Sequence, residues 1–538
     1  MFFGRWDVGW VIDLRLACCA LLLLLAAGCG SGGTPCTSCS PPPEATFASG
    51  PCAPDHAAVL AKLNASCGTL TVAENRNSTS QATIQLPVAI IPSVTQPPEP
   101  DPIVFMAGGP GQDALNQAPA LVSLGLLNQT RNVIVMNQRG VADTQPALTC
   151  PEIDKASIHA VGLPYDSPNT GALHVAATKA CHDRFVAQGI DLSAFNTSQN
   201  SADFADLRVA LDIPQWNVYA LSYGTDLALS EMRDYPSGIR SVIIDSVVVP
   251  SRASLGYLWV NTHEGITDIF DACAAQPTCV SAYGDLSSEV ATQVQTLEAN
   301  PLTTTVQEPF GEVKVVLDGG ALINWLGSPP DGVVPIASIP EALGELFQGQ
   351  PTQIAESRAA GADPSKVGTT GWGLWFGVIC SEWVPYEPES QILAQGQLAF
   401  PTYPESVLSL APGLPFMTQD CGVWDVPAAP ALVRQPTVST IPTLVMAGSF
   451  DGITSPQAAQ LAAQTLSNST TVIIPGAGHG ALFSFGLPDG SPANPCAQKV
   501  VASFLDDPTS PDTSCVSTLS PPTFTTSPGG MMPSKRAP

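Results

Sequence analysis

The chain has 538 residues, 44% hydrophobic and only 12% charged, with 46 Asp and Glu against 20 Lys and Arg and a formal net charge of −26. That length allows one large domain with an insertion, or two domains. The acid excess excludes nucleic acid or an anionic lipid surface as the electrostatic partner, and suits a protein soluble outside the cell.

Residues 1–29 read as a targeting segment. Arg5 and Arg15 precede the apolar run Leu16 to Ala27, which is too short for an ordinary membrane span. The run ends Leu25-Ala26-Ala27-Gly28-Cys29, which resembles a bacterial lipobox with Cys29 as the lipidated residue; a plain signal peptide cut nearby is the other reading. The expectation is an exported cell-envelope lipoprotein touching the membrane only through its lipid, or alternatively a secreted protein. Residues 30–48, rich in Gly, Ser, Thr and Pro, read as a flexible tether.

Of 15 cysteines, Cys18, Cys19 and Cys29 fall in the targeting segment. The rest form neighbouring couples along the chain: Cys36/Cys39, Cys52/Cys67, Cys150/Cys181, Cys273/Cys279, Cys380/Cys421 and Cys496/Cys515. An even number closing mostly short loops suits disulfides in an oxidising compartment, although spacing alone leaves the connectivity open. Cys36-x-x-Cys39 also admits a redox or metal pair, but it has no second such motif and no histidine beside it.

A first stretch, 49–250, alternates strand and helix. A helical pattern over Cys52 to Leu63 is followed by strand-like runs at Leu70 to Ala73, Thr83 to Ile91 and Pro102 to Ala107. The turn Gly108-Gly109-Pro110-Gly111 comes next, then a helix from Ala114 to Leu127 and a buried strand from Asn132 to Asn137. A helix over Ala202 to Leu211 leads into the strand Trp216 to Leu221, which breaks at Ser222 and restarts as a helix running Tyr223 to Tyr235; the strand Val242 to Val249 follows. Residues 251–435 lose this rhythm and read as an inserted, mainly helical cap. It returns over 436–515, with strands at Pro442 to Ala447 and Thr470 to Ile474 and helices at Gln457 to Leu466 and Cys496 to Leu505. Residues 516–538, rich in Ser, Thr and Pro, read as a disordered tail. The pattern predicts an α/β fold: a mostly parallel sheet with helices on both faces and a helical cap, with ligands at the carboxyl ends of the strands.

The chemistry centres on Ser222. Ala220 and Gly224 stand two positions either side of it, the spacing of a nucleophile elbow, where small neighbours let the backbone fold back and lift the hydroxyl to a helix N-terminus. A serine nucleophile needs a base, and the base an orienting carboxylate. Of six histidines only His479, in Pro475-Gly476-Ala477-Gly478-His479-Gly480, follows a predicted core strand near the C-terminus. Asp451, in the loop after the strand before it, preserves the order Ser, Asp, His; Asp245, in the strand that follows the elbow helix, is the rival acid. Oxyanion donors are expected from the amides of Tyr223 and Gly109, with Gly108 as a further possibility.

These pieces together resemble the α/β-hydrolase fold, and within it the prolyl/tripeptidyl aminopeptidase family of serine peptidases with its TAP-like C-terminal region. The resemblance rests on Gly108-Gly109-Pro110-Gly111-Gln112, Asn137-Gln138-Arg139-Gly140, Asp206-Leu207-Arg208, Ser222-Tyr223-Gly224-Thr225, Gly448 to Pro456 and Gly476 to Gly480. The sequence departs from the family at Ala107, Asn137, Val141-Ala142-Asp143 and Ala220. The resemblance implies Ser222, Asp451 and His479 as a triad and release of residues or short peptides from free N-termini. It also implies an acidic cap residue for the substrate ammonium, for which Glu382, in Cys380-Ser381-Glu382-Trp383, is the candidate. No cofactor or metal is expected. The partner is a peptide or a small ester, and the oligomeric state is left open. The alternatives are a carboxylesterase or lipase-like enzyme of the same fold, and a surface binding protein without catalysis.

Overall fold

A computed structural model of the protein describes residues 43–123, 126–327, 334–483 and 494–526. The expected lipidated Cys29, the Cys36/Cys39 couple and most of the tether lie outside them.

Runs of wholly apolar residues become the centre of the sheet, because a strand covered on both faces has no side left for polar groups. The strands are β1 (Thr46–Gly50), β2 (Ser66–Ala73), β3 (Thr83–Ile91), β4 (Ile103–Met106), β5 (Val133–Met136), β6 (Trp216–Leu221), β7 (Ile239–Asp245), β8 (Leu302–Glu308), β9 (Gly311–Leu317), β10 (Thr443–Gly448) and β11 (Ser469–Ile474). Nine of them form one sheet in the order β1-β2-β3-β5-β4-β6-β7-β10-β11, while β8 and β9 pair separately as a hairpin. β1, β2, β3 and β5 pair antiparallel in turn, and every pairing from β5 to β11 is parallel. Every residue of β4, β5, β6 and β10 is buried. Their alternate side chains feed two cores: Val104, Met106, Trp216, Val218 and Ala220 face one, and Ile103, Phe105, Tyr219 and Leu221 the other.

Between β7 and β10 lies a mainly helical insertion, including the helices Leu255–Ala274, Leu286–Ala299, Ile339–Phe347 and Ser390–Ala399. The hairpin β8/β9 within it escaped the sequence reading; its outer strand is half exposed throughout and carries three consecutive threonines in place of an apolar run. The insertion is fastened onto the sheet's carboxyl edge. Asn261 Nδ2 donates to Ile453 O at 2.8 Å, Ser455 Oγ donates to Asn261 Oδ1 at 3.0 Å, and Gly371 N donates to Gly111 O at 2.8 Å.

Two expectations about the ends need correction. The tether is not loose to residue 48, since Thr46–Gly50 pairs in register with Cys67 to Thr71. Nor is the tail disordered from 516 on. Phe524 is buried against Phe450, its amide donates to Gln276 Oε1 at 3.1 Å, and Thr525 N donates to Ala337 O at 2.9 Å. One large aromatic with a pocket to fill overrides the Ser/Thr/Pro composition around it. The helix expected over Ala114 to Leu127 stops at Leu121 and has Pro119 inside it.

Five cysteine couples close as disulfides: Cys52–Cys67, Cys150–Cys181, Cys273–Cys279, Cys380–Cys421 and Cys496–Cys515. Such a set fits a chain that folds in an oxidising, extracellular setting. No described helix is long and apolar enough to cross a membrane.

Candidate active site

Ser222 sits between the last residue of β6 and the first of the helix Tyr223–Asp234, with φ 57° and ψ −128°. A non-glycine residue at positive φ is strained and is retained only where its surroundings over-determine it. The surroundings here are tight. A Cβ on Gly224 would lie 2.1 Å from Met106 O, and one on Gly108 would lie 2.8 Å from the Ser222 Cβ. This is the small-residue requirement read from the sequence, now with its cause: β4 and its following loop press against the elbow.

His479 and Asp451 meet across two loops at the carboxyl edge. His479 Nδ1 lies 2.9 Å from Asp451 Oδ2 and 3.1 Å from Oδ1, so the ring proton belongs on Nδ1 and Nε2 is the acceptor nitrogen of the neutral ring. Asp451 is fully buried. Ile453 N and Thr454 N donate to its Oδ1, each at 2.9 Å, and Thr454 Oγ1 donates to its Oδ2 at 2.8 Å. Burial pushes the Asp451 carboxyl up, but the neighbouring His479 and these hydrogen bonds outweigh it and hold the group below its ordinary value.

The rival acid, Asp245, has a different task. Its Oδ1 accepts from Ala481 N and its Oδ2 from Leu482 N, both at 2.9 Å, and Tyr219 OH donates to Oδ2 at 3.1 Å. Ser246 Oγ accepts from Gly480 N at 2.8 Å, and Ser222 N donates to Asp245 O at 3.0 Å. The elbow and the histidine loop therefore hang on two consecutive residues at the end of β7. Neither Thr454 nor Ser246 stood out in the sequence, because a hydroxyl beside a loop acid has no signature of its own.

Gly109 and Ser222 line one cavity of about 70 Å3, together with Thr454, Asn261, Trp383 and the apolar Val247, Val249, Leu258 and Ile453. The amides of Gly109 and Tyr223 have no acceptor among the described residues, and the latter is one of the donors a helix N-terminus always leaves unpaired. The Asn137-Gln138-Arg139 motif braces this wall. Asn137 Oδ1 accepts from Leu115 N at 3.0 Å, and Gln138 Nε2 donates to Ala107 O at 2.8 Å, one residue before the glycine turn. Arg139 forks onto both oxygens of Asp203 at 2.8 Å.

Glu382 is placed otherwise than the sequence suggested. It is buried, with Oε1 accepting from Thr197 N and Oε2 from Thr197 Oγ1, each at 2.8 Å, so it caps the helix Thr197–Ala210. Its neighbour Trp383 lines the Ser222 cavity, and Glu382 does not. Burial, shared with the adjacent acid Asp226, pushes the Glu382 carboxyl up to about 7. A carboxyl spent on a helix N-terminus is a poor site for a substrate ammonium, and the expectation is corrected on that ground.

Setting aside β1, the remaining eight sheet strands run first, second, fourth, third and then in chain order, with a strained serine after the central strand and an Asp–His pair after the last two. This is an α/β-hydrolase fold. Residues 413–516 match a family model described as TAP-like protein. YuaR of Escherichia coli (strain K12), named as a hydrolase, is 23% identical over 236 residues, 42% of this chain and 46% of that relative, so the match spans about half the relative's length. Among solved structures, a proline iminopeptidase from Mycobacterium smegmatis is 18% identical with a TM-score of 0.35, covering 79% of this chain and 96% of that one. A thermophilic esterase from Thermogutta terrifontis is 14% identical with a TM-score of 0.31, covering 80% and 95%. The strand order and the elbow, rather than these distant likenesses, carry the α/β-hydrolase assignment.

Proposed function

We propose that this α/β-hydrolase is an exported serine hydrolase whose triad is Ser222, His479 and Asp451, and that it cleaves short peptides from their N-termini. The observation that carries the catalytic reading is the 2.9 Å contact of His479 Nδ1 with a buried, ionised Asp451, on a loop anchored to the same strand end as the strained Ser222. In the proposed mechanism His479 Nε2 takes the Ser222 proton as the hydroxyl oxygen attacks the substrate carbonyl. The Gly109 and Tyr223 amides receive the oxyanion, and the imidazolium gives its proton to the leaving group. Water, activated by the same imidazole, then releases the acyl group. Asp451 holds the ring tautomer throughout and stabilises its charged form.

A second reading, a carboxylesterase, is favoured by one observation: no carboxylate lines the Ser222 cavity among the described residues, so nothing there pairs with a substrate ammonium. Two measurements separate these readings. Covalent labelling by a fluorophosphonate, abolished by Ser222→Ala, tests the triad; a folded protein that never labels refutes it and leaves a surface binding protein. Comparison of aminoacyl and peptidyl arylamides with short acyl esters then decides between peptidase and esterase.

A further inference from the structure

The described part of the Ser222 cavity contains a single charged side chain, and it is a cation. Arg252 lies on the cavity wall with Gly109 and Ser222. It also lines two adjoining pockets, of about 270 and 510 Å3, which share Tyr257 and Gln395 with each other and open the way outward. Every other described arginine has a hydrogen bond or an ion pair: Arg76, Arg131, Arg139, Arg184, Arg233 and Arg240 meet carboxylates, and Arg208, Arg358 and Arg434 meet backbone carbonyls. Arg252 has neither. It is exposed, and its guanidinium stands 5.9 Å from the centre of the Tyr257 ring, which supports the flat cation without using its donors. The other charges lining the first adjoining pocket are already engaged. Both Glu387 oxygens accept hydrogen bonds, from Ser254 Oγ and Gly256 N, and Arg434 donates to the carbonyls of Ala253 and Glu382. The second pocket is walled by neutral amides, Gln395, Gln457, Gln460 and Gln464.

A guanidinium whose five donors meet no acceptor among the described residues, in a chain of net charge −26 and on the wall of a cavity whose other described lining is uncharged, matches a planar anion. We propose that Arg252 is a specificity-determining residue that binds a carboxylate on the substrate. The carboxylate is either the C-terminal group of a short peptide or an acidic side chain. The inference rests on the serine-hydrolase reading but not on the choice between amide and ester. It reverses the charge preference that the family resemblance implied, which placed an acid for an ammonium at this site.

The test uses the full chain, with paired substrates that differ only in the anion. Ala-Ala-Ala is compared with its C-terminal amide, and Ala-Ala-Glu-amide with Ala-Ala-Gln-amide; the first pair reports a terminal carboxylate and the second a side chain. For the ester reading, p-nitrophenyl hydrogen glutarate is compared with p-nitrophenyl butyrate. The anionic member of at least one pair should have a kcat/KM about 10- to 100-fold higher, the range of one charged hydrogen-bonded contact. Arg252→Gln should abolish that ratio by bringing the anionic member's kcat/KM down to that of the neutral one, and Arg252→Lys should keep part of it. The Arg252 side chain is exposed and, among the described residues, makes no hydrogen bond or ion pair, only the contact with the Tyr257 ring, so these variants keep the fold. Turnover without an anionic preference, or with one that survives Arg252→Gln, overturns the proposal and leaves the triad standing. Absence of both turnover and fluorophosphonate labelling removes the hydrolase reading, and this inference with it.

Discussion

His56 offers a stability switch outside the site whose sign and window follow from its contacts. Its Nδ1 lies 2.7 Å from Asp143 Oδ2 and its Nε2 lies 2.8 Å from Asp113 Oδ2, with the His56 side chain only 7% exposed. Asp113 caps the helix Ala114–Leu121 shortly after the glycine turn, so the imidazolium pins the N-terminal segment to the loop that follows β4. The Asp113 hydrogen bond, opposed by burial and reinforced by both carboxylates, raises the His56 pKa from 6.5 to about 9. A raised value means that the folded state holds the proton more tightly. The stabilisation is therefore complete below pH 6.5 and is lost as the pH climbs through 9. At about 1.4 kcal/mol per pH unit the ceiling is about 3 kcal/mol, and water reaching the partly exposed carboxylates lowers the expectation to about 2 kcal/mol. Urea unfolding of the disulfide-intact protein and of His56→Gln, at pH 6 and again at pH 10, measures it. The gap between the two proteins should shrink by about 2 kcal/mol on going to the higher pH. A gap that stays constant would mean that His56 is neutral in its cage, and the reasoning fails.

Asp451→Asn should lower kcat by about 10^4-fold with little change in the unfolding midpoint, because the ring loses its tautomer rather than its place. Asp245→Asn should do the opposite. One of two buried amides would face an NH2 group, costing about 1–3 kcal/mol in urea unfolding, with a smaller fall in kcat as the loop loosens. Gly224→Ala puts a methyl 2.1 Å from Met106 O, and the variant should be recovered unfolded or at very low yield; a well-folded, active Gly224→Ala protein would contradict the packing. Phe524→Ala should cost about 3 kcal/mol of stability, and a negligible loss would return the tail to the disordered state its composition suggests.

What could be read from the sequence was whatever one short window encodes. The wholly apolar strands, the elbow and the glycine-flanked His479 each carry their signal within about ten residues. Glu382 was misplaced because its partner Thr197 is 185 residues away, and an acid on a helix N-terminus reads like an acid in solvent. The tail was misjudged for a related reason: composition averages over a window, whereas Phe524 acts alone by filling one site against Phe450. Arg252 went unnoticed because its distinction is the absence of a partner, which only the folded surroundings define. The cysteine couples were visible as near neighbours, yet the pairing itself required the backbone to bring each couple within about 5–6 Å between Cα atoms.

The contest between Asp245 and Asp451 ends in a division of labour that the loop's composition makes necessary. The segment Gly476-Ala477-Gly478-His479-Gly480 has three glycines, two of them at positive φ, so it can take the turn that carries the imidazole over the sheet. The same freedom gives it more conformational entropy to lose than a glycine-free loop of its length. A base must be held to a fraction of an ångström, and the hydrogen bond that the ring Nδ1–H donates to Asp451 fixes the ring but not the loop. Asp245 and Ser246 supply the rest, taking three successive amides, Gly480, Ala481 and Leu482, from a strand end that also receives the Ser222 amide. In the proposed triad, Asp245 thus keeps the His479 loop in register with the elbow.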